Sequence, residues 1–232
     1  MKMDQVAVIL PALNEVDSVE PVVTGFLREG IRVVVVDNGS TDGTTEAATH
    51  AGAEVVSEQI RGYGKACLAG LSHLASRPPQ VVVFADCDGT LDPHEVVTLI
   101  TPIDAGEADL VLGKRKQVEK GAFPLHQKLG NGITRLVLLI LYGLRISDIP
   151  PYRASSWPFL AELGLSDPSY GFPIETIVIS ARKGGRIKEV EVAYRRRLVG
   201  KSKVTGSLLN SLRAGWTMIA LAVALRFRKS VI

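Results

Sequence analysis

Two aspartates one residue apart, Asp86 and Asp88, close an apolar run in the segment VVVFADCDGTLDP at residues 81–93. Carboxylates in such a place can do two kinds of chemistry. One can attack phosphorus while the other handles protons, or the pair can share a hard divalent cation and so hold a diphosphate. Alternate residues of an extended chain face the same way, so the spacing suits both. In a third reading the two acids cap a helix beginning at Pro93 and do no chemistry. Other reactive residue types add little: His50, His73, His94 and His126 stand in no ligand or triad spacing. Cys67 and Cys87, the only cysteines, suggest neither a disulfide framework nor a zinc site, and fit a reducing cytosol.

The elements that must position these acids are legible as apolar runs. Residues 6–10, 32–37, 53–57, 81–86 and 109–113 are Val-rich stretches of strand length, too uniformly apolar for a half-exposed sheet. Helical spacing fills 18–29, 42–51, 64–76 and 93–104 between them, so the pattern predicts βαβ units around a parallel sheet. The second half predicts helices over 124–144, 156–164, 173–183 and 207–228, and a strand over 186–194. At 232 residues this makes one large domain, 1–206, with a C-terminal amphipathic helix, 207–232. No internal repeat or linker interrupts it.

Ligands of open α/β sheets bind beyond the carboxyl ends of the strands. The first strand leads into PALNE (11–15), where a dinucleotide-binding glycine turn is absent, and the second into DNGSTDGT (37–44). Residues 61–70, RGYGKACLAG, follow the third; their glycines would allow close backbone approach to phosphate, with Arg61 and Lys65 adding charge. The P-loop spacing fails.

Taken together, VILPALNE, VVVVDNGSTDGT, RGYGKACLAG and ADCDG, in that order and spacing, resemble the N-terminal half of family 2 glycosyltransferases of the GT-A fold, especially the branch similar to dolichyl-phosphate mannose synthases. The resemblance continues through VLGKR (111–115), SDIPPYRA (147–154), YGFPIETIV (170–178) and RRRLVGKSKV (195–204). DCDGTL also resembles the nucleophile motif of haloacid dehalogenase-like phosphatases. That motif usually sits on a first strand, with a later acidic pair and a positioned lysine; here it follows the fourth run and no such pair comes after it.

The resemblance implies a GT-A nucleotide-diphospho-sugar transferase fold and inverting transfer from a nucleoside diphosphate sugar, with Asp86 and Asp88 holding Mg²⁺ or Mn²⁺. Similar synthases often carry Gln where this chain has Thr90. Pro11, Asn14, Glu15, Asp37 and Lys65 would bind the donor with Asp86, while Arg115, Arg153, Arg195 and Lys201 would meet donor or acceptor phosphate. A hydroxyl acceptor would need a general base, for which Glu175 and Asp148 are candidates. A phosphate monoester is already largely ionised at neutral pH and needs none.

Charge points the same way. Residues 182–232 hold 13 Lys and Arg against two Glu, while residues 1–181 hold 14 against 22 acids. A basic C-terminal fifth suits phosphate groups, anionic lipid or nucleic acid. With the resemblance, the expected partners are a nucleoside diphosphate sugar and polyprenyl phosphate or a small-molecule acceptor, with no nucleic acid. The apolar stretches at 136–144 and 214–225 are too short to span a bilayer. The C-terminal helix, with its Trp216 and basic flanks, would lie on a membrane surface, pack on the domain, or join a homodimer. No signal peptide pattern opens the sequence, so the expected location is cytoplasmic, peripheral at the membrane face if that helix docks there.

Overall fold

The computed structural model describes residues 1–119, 125–199 and 208–228. Strands β1 (Val6–Ala12), β2 (Arg32–Asp37), β3 (Glu54–Ser57), β4 (Val81–Phe84) and β5 (Leu110–Gln117) fall on the five Val-rich runs. Between them lie α1 (Val16–Arg28), α2 (Thr44–His50), α3 (Tyr63–Leu74) and α4 (Val96–Asp104). The second half adds α5 (Leu125–Tyr142), β6 (Arg153–Ser156), α6 (Trp157–Glu162), α7 (Phe172–Arg182), β7 (Ile187–Tyr194) and α8 (Leu208–Phe227).

The seven strands form one sheet in the order β3-β2-β1-β4-β6-β5-β7. Four of its six neighbour relations join strands expected from the sequence; the other two involve β6, which was not expected. It runs antiparallel to both β4 and β5, and its sequence, Arg-Ala-Ser-Ser, lacks the β-branched residues that favour strands. Ladders on both sides hold it there, and Ser155 Oγ donates to Asp109 O at 2.7 Å.

The sheet is covered on both faces, which is why its central strands read as continuous apolar runs. Val6, Val8 and Leu10 of β1 pack with Val83 against Val23 and Phe26 of α1 and Leu99 of α4. Ala7 and Ile9 pack with Phe84 against Ala66, Cys67 and Leu74 of α3 and Phe172 of α7. A third apolar cluster joins Leu112 of β5 to Leu138 of α5, Ile177 of α7 and Leu225 of α8. The C-terminal helix thus packs on α5 and α7, and among the described residues no helix is long and apolar enough to cross a membrane.

Candidate active site

A cleft of about 410 Å³ opens beyond the carboxyl ends of β1, β2 and β4. Pro11, Ala12, Leu13 and Glu15 form one wall, Asn38, Arg61, Gly62 and Tyr63 another, and Ser169 and Tyr170 a third. Asp86 and Asp88 lie at its base, with Arg197 across them. The two aspartates do share a side, but β4 ends at Phe84 and they sit on the turn that follows, not on an extended strand end. Gly89 closes that turn at φ +74°, a conformation glycine adopts without a Cβ penalty. The cap of the Pro93–Glu95 turn is Asp92, whose Oδ1 accepts from His94 N at 3.1 Å. The helix-capping reading of Asp86 and Asp88 is therefore excluded.

The two acids have different surroundings. Asp88 Oδ1 accepts from Thr90 N at 3.0 Å and Thr90 Oγ1 at 2.7 Å, so Thr90 orients Asp88. Asp88 Oδ2 accepts from Arg197 Nη1 at 3.0 Å, and Arg197 Nη2 donates to Glu15 Oε2. No hydrogen bond from the described residues reaches the carboxylate of Asp86. Burial, followed by the like charge of Asp88, pushes its pKa up to about 7 against the pull of Arg115, Arg153 and Arg197. Two hard oxygen ligands with an unmet demand for positive charge suit a divalent cation. Among the described residues no cluster offers three or more ligating side chains, so a cation here would draw its remaining ligands from water or a bound diphosphate.

Several residues expected at the donor shape the cleft without facing it. Asn14, at φ 50°, accepts from Thr41 N through Oδ1 at 2.8 Å and donates its own N–H to Ser40 Oγ at 2.9 Å. It ties the loop after β1 to the loop after β2. Asp37 is buried and accepts from Ser40 N at 3.1 Å. Lys65 lines a shallow groove on the far side of α3 with Glu58 and His73, outside the cleft. The glycines around it have another use than the phosphate approach expected from sequence. A Cβ on Gly64 would lie 2.0 Å from Asp167 O, and the N–H groups of Gly64 and Lys65 donate to Ser169 O at 3.1 Å and Pro168 O at 3.0 Å. The start of α3 is closed by the chain's own 167–169 segment.

Both proposed bases are committed elsewhere. Glu175 is 1% exposed; its Oε2 accepts from Ser166 N at 2.9 Å and Asp167 N at 2.7 Å, and its Oε1 from Ser166 Oγ at 3.1 Å. It anchors the loop that carries Ser169 and Tyr170 into the cleft. Asp148 accepts from Arg115 Nε and Nη2, both at 2.7 Å, from Asn131 Nδ2 at 2.8 Å, and from two backbone N–H groups. Burial would raise its pKa, but the Arg115 guanidinium and the backbone donors outweigh it and hold the carboxyl below its usual range.

The basic residues divide in the same manner. Arg115, locked by Asp148, lies near Asp86. Arg153 is fully buried, stacked over Phe84 and Phe172 at 5.2 and 6.0 Å, and its Nε and Nη2 find no hydrogen-bond acceptor among the described residues. It is therefore not placed to meet an acceptor from solvent. Arg195 pairs with Asp92 at 2.9 Å, outside the cleft lining, and Lys201 lies outside the described residues. The cation across the aspartates is Arg197. Sequence reasoning gave no role to Asn38, whose Nδ2 donates to Glu58 O at 3.0 Å and Ile60 O at 2.9 Å, and whose Oδ1 accepts from Gly62 N at 2.7 Å. It fixes the loop bearing Arg61, and its only sequence signal was its place beside Asp37.

Comparison with known proteins decides the family. The model of "Glycosyl transferase family 2" matches residues 7–156. The chain belongs to that family. It is 40% identical over 92% of its length to an uncharacterized glycosyltransferase of Mycobacterium tuberculosis, covering 96% of that protein. It is 31% identical to the undecaprenyl-phosphate mannosyltransferase of Micrococcus luteus, over 94% of this chain and 95% of that one. Among solved structures, glucosyl-3-phosphoglycerate synthase of M. tuberculosis, in complex with Mn²⁺, UDP-glucose and phosphoglyceric acid, superposes with a TM-score of 0.73 at 26% identity, covering 97% of this chain and 81% of that one. The family 2 glycosyltransferase thus has the expected GT-A fold, and nothing in these comparisons supports a phosphatase.

Proposed function

We propose that this glycosyltransferase moves a sugar from a UDP- or GDP-linked donor to the phosphate of a polyprenyl phosphate, inverting the anomeric centre in one displacement. The observation that carries the acceptor is the commitment of Glu175 and Asp148. Each has both oxygens engaged by protein donors, so neither is disposed to take a proton from an attacking hydroxyl. The carboxylates lining the cleft are Glu15, Asp86 and Asp88, of which Glu15 is ion-paired to Arg197. A phosphate monoester, with a second pKa of about 6, attacks without such help.

In this reading the nucleoside lies along Pro11–Leu13 and the loop pinned by Asn38, and Arg61 and Arg197 face the diphosphate. Asp86 and Asp88 would hold a Mg²⁺ or Mn²⁺, which when bound supplies Lewis-acid neutralisation of the departing diphosphate. Thr90 keeps Asp88 oriented, and Asp148 keeps Arg115 in place behind Asp86. For the lipid chain there is apolar surface: Leu129, Leu136 and Ile140 on α5 and Leu212, Trp216 and Phe227 on α8 are exposed. Neither helix contains an acidic residue, which suits both in contact with an anionic membrane face. The mannosyltransferase relative supports the same acceptor class.

The phosphoglyceric acid held by the solved relative favours a second reading, a soluble phosphorylated hydroxy acid as acceptor. The test is product formation from UDP- and GDP-hexoses with Mn²⁺, offering a short-chain polyprenyl phosphate or phosphoglycerate. Labelled lipid product is the expected result. Transfer to phosphoglycerate with the lipid inert would replace the proposal by the second reading.

A further inference from the structure

Arg197 is the residue of the site whose present partners cannot all be its partners during turnover. Its guanidinium bridges Asp88 and Glu15, with the three side chains only 15%, 13% and 11% exposed. Such desolvated pairs are strongly destabilised when one member is left alone. The backbone around it is strapped over the aspartate turn: Arg195 N donates to Thr90 O at 2.9 Å, Leu198 N donates to Asp88 O at 3.2 Å, and Leu91 bridges to Tyr194. Leu198 packs so closely on the turn that a Cβ on Gly89 would lie 2.4 Å from its side chain. Arg197 is thus held at Asp88 by the fold.

A dication arriving alone meets this guanidinium at the carboxylate it needs. It must either sit beside a like charge or strip Arg197 from Asp88 with no replacement anion, and it finds no third ligating side chain among the described residues to compensate. A cation arriving with a diphosphate brings both missing elements. Phosphate oxygens complete its coordination, and others offer Arg197 a new charge-assisted, bidentate partner.

We propose that Arg197 is the internal counter-charge of the donor site before its ligands arrive, and that metal and nucleotide displace it from Asp88 together, so that each tightens the binding of the other through this one guanidinium. The inference rests on the donor-site reading above and adds to it a positioning residue that couples two ligands. Coupling of this kind is reciprocal.

The experiment measures free Mn²⁺ by electron paramagnetic resonance as it is titrated into the full chain, alone and with saturating UDP or GDP, for wild type, Arg197→Gln and Arg197→Lys. Thermal unfolding confirms that each variant is folded. Wild type should bind Mn²⁺ at least tenfold tighter with the favoured nucleotide than without it. Arg197→Gln should bind Mn²⁺ alone several-fold tighter than wild type and lose most of the nucleotide enhancement, whereas Arg197→Lys should keep part of it. A merely structural staple would not raise metal affinity when removed. Unchanged or weaker Mn²⁺ binding by Arg197→Gln, with the enhancement intact, overturns the coupling role and leaves the transferase reading standing. Absence of any nucleotide or Mn²⁺ binding by wild type overturns both.

Discussion

Replacing Glu175 by Gln separates a catalytic base from a loop anchor. Gln keeps one carbonyl oxygen, which can still accept from the backbone N–H groups of Ser166 and Asp167, but its amide end cannot accept from a backbone donor. The Ser166 Oγ contact at 3.1 Å can be remade only if the hydroxyl turns to accept, and the charge assistance of all three bonds is lost. A hydrogen bond to a charged group contributes about 1.5–3 kcal/mol and a neutral one about 1 kcal/mol. With partial relaxation the net loss should be ~1–2 kcal/mol, or a fall in melting temperature of ~2–8 °C for a chain of this size. Looser placement of Ser169 and Tyr170 should raise KM for the donor, with kcat falling less than tenfold. A general base deleted in the same way would lower kcat by ~10²–10⁴ with little change in stability. Differential scanning fluorimetry and steady-state kinetics on one preparation read both quantities. A loss of kcat above a hundredfold in a variant that melts like wild type would refute the anchor role.

Asp86→Asn should abolish metal-dependent donor turnover by ~10² or more, since the amide offers the cation one neutral oxygen; a phosphorylated Asp86 trapped from wild type would instead signal nucleophilic chemistry. Glu54 has its pKa lowered to about 2, chiefly by its hydrogen bond from Arg32, with His73 adding to the effect. Its contribution to stability is therefore fully present above the unfolded carboxyl pKa of about 4.3 and is lost as pH falls toward 2. Urea unfolding at pH 6 and pH 3 should show a smaller acid loss in Glu54→Gln than in wild type. Gly64→Ala should cost ~1–3 kcal/mol, because the added methyl meets backbone at Asp167 O that is itself tied down by Glu175; a melting temperature equal to wild type would contradict that packing.

The β1, β2 and β4 strands could be read directly because burial on both faces leaves no polar alternation to obscure them. Residues 153–156 could not, since Arg-Ala-Ser-Ser is a strand only by virtue of the ladders on either side of it. The aspartate pair was legible as a unit, while its turn was not, because the apolar run continues through Ala85 past the last ladder residue. Glycines 62 and 64 were read as room for a phosphate, but a missing Cβ does not say what approaches; the neighbour is the 167–169 backbone. Glu175 and Asp148 were legible as carboxylates near motif positions. Apart from the Ile149 N–H next to Asp148, what fills their oxygens comes from residues 8 to 33 positions away, which no local pattern reports. Arg195 and Arg197 were indistinguishable as members of a basic run. The fold separates them by giving Asp92 to the first and Asp88 with Glu15 to the second.

The central claim is that the acceptor's own phosphate is the nucleophile, and it is tested most directly by offering the enzyme the same short prenyl chain with and without that group. With a labelled UDP- or GDP-hexose and Mn²⁺, the polyprenyl phosphate should be glycosylated and the corresponding polyprenol should not, at any concentration that keeps both dispersed. Transfer to the polyprenol, or to soluble hydroxyl compounds with the lipid phosphate inert, would contradict the account and return the search to a base in the cleft.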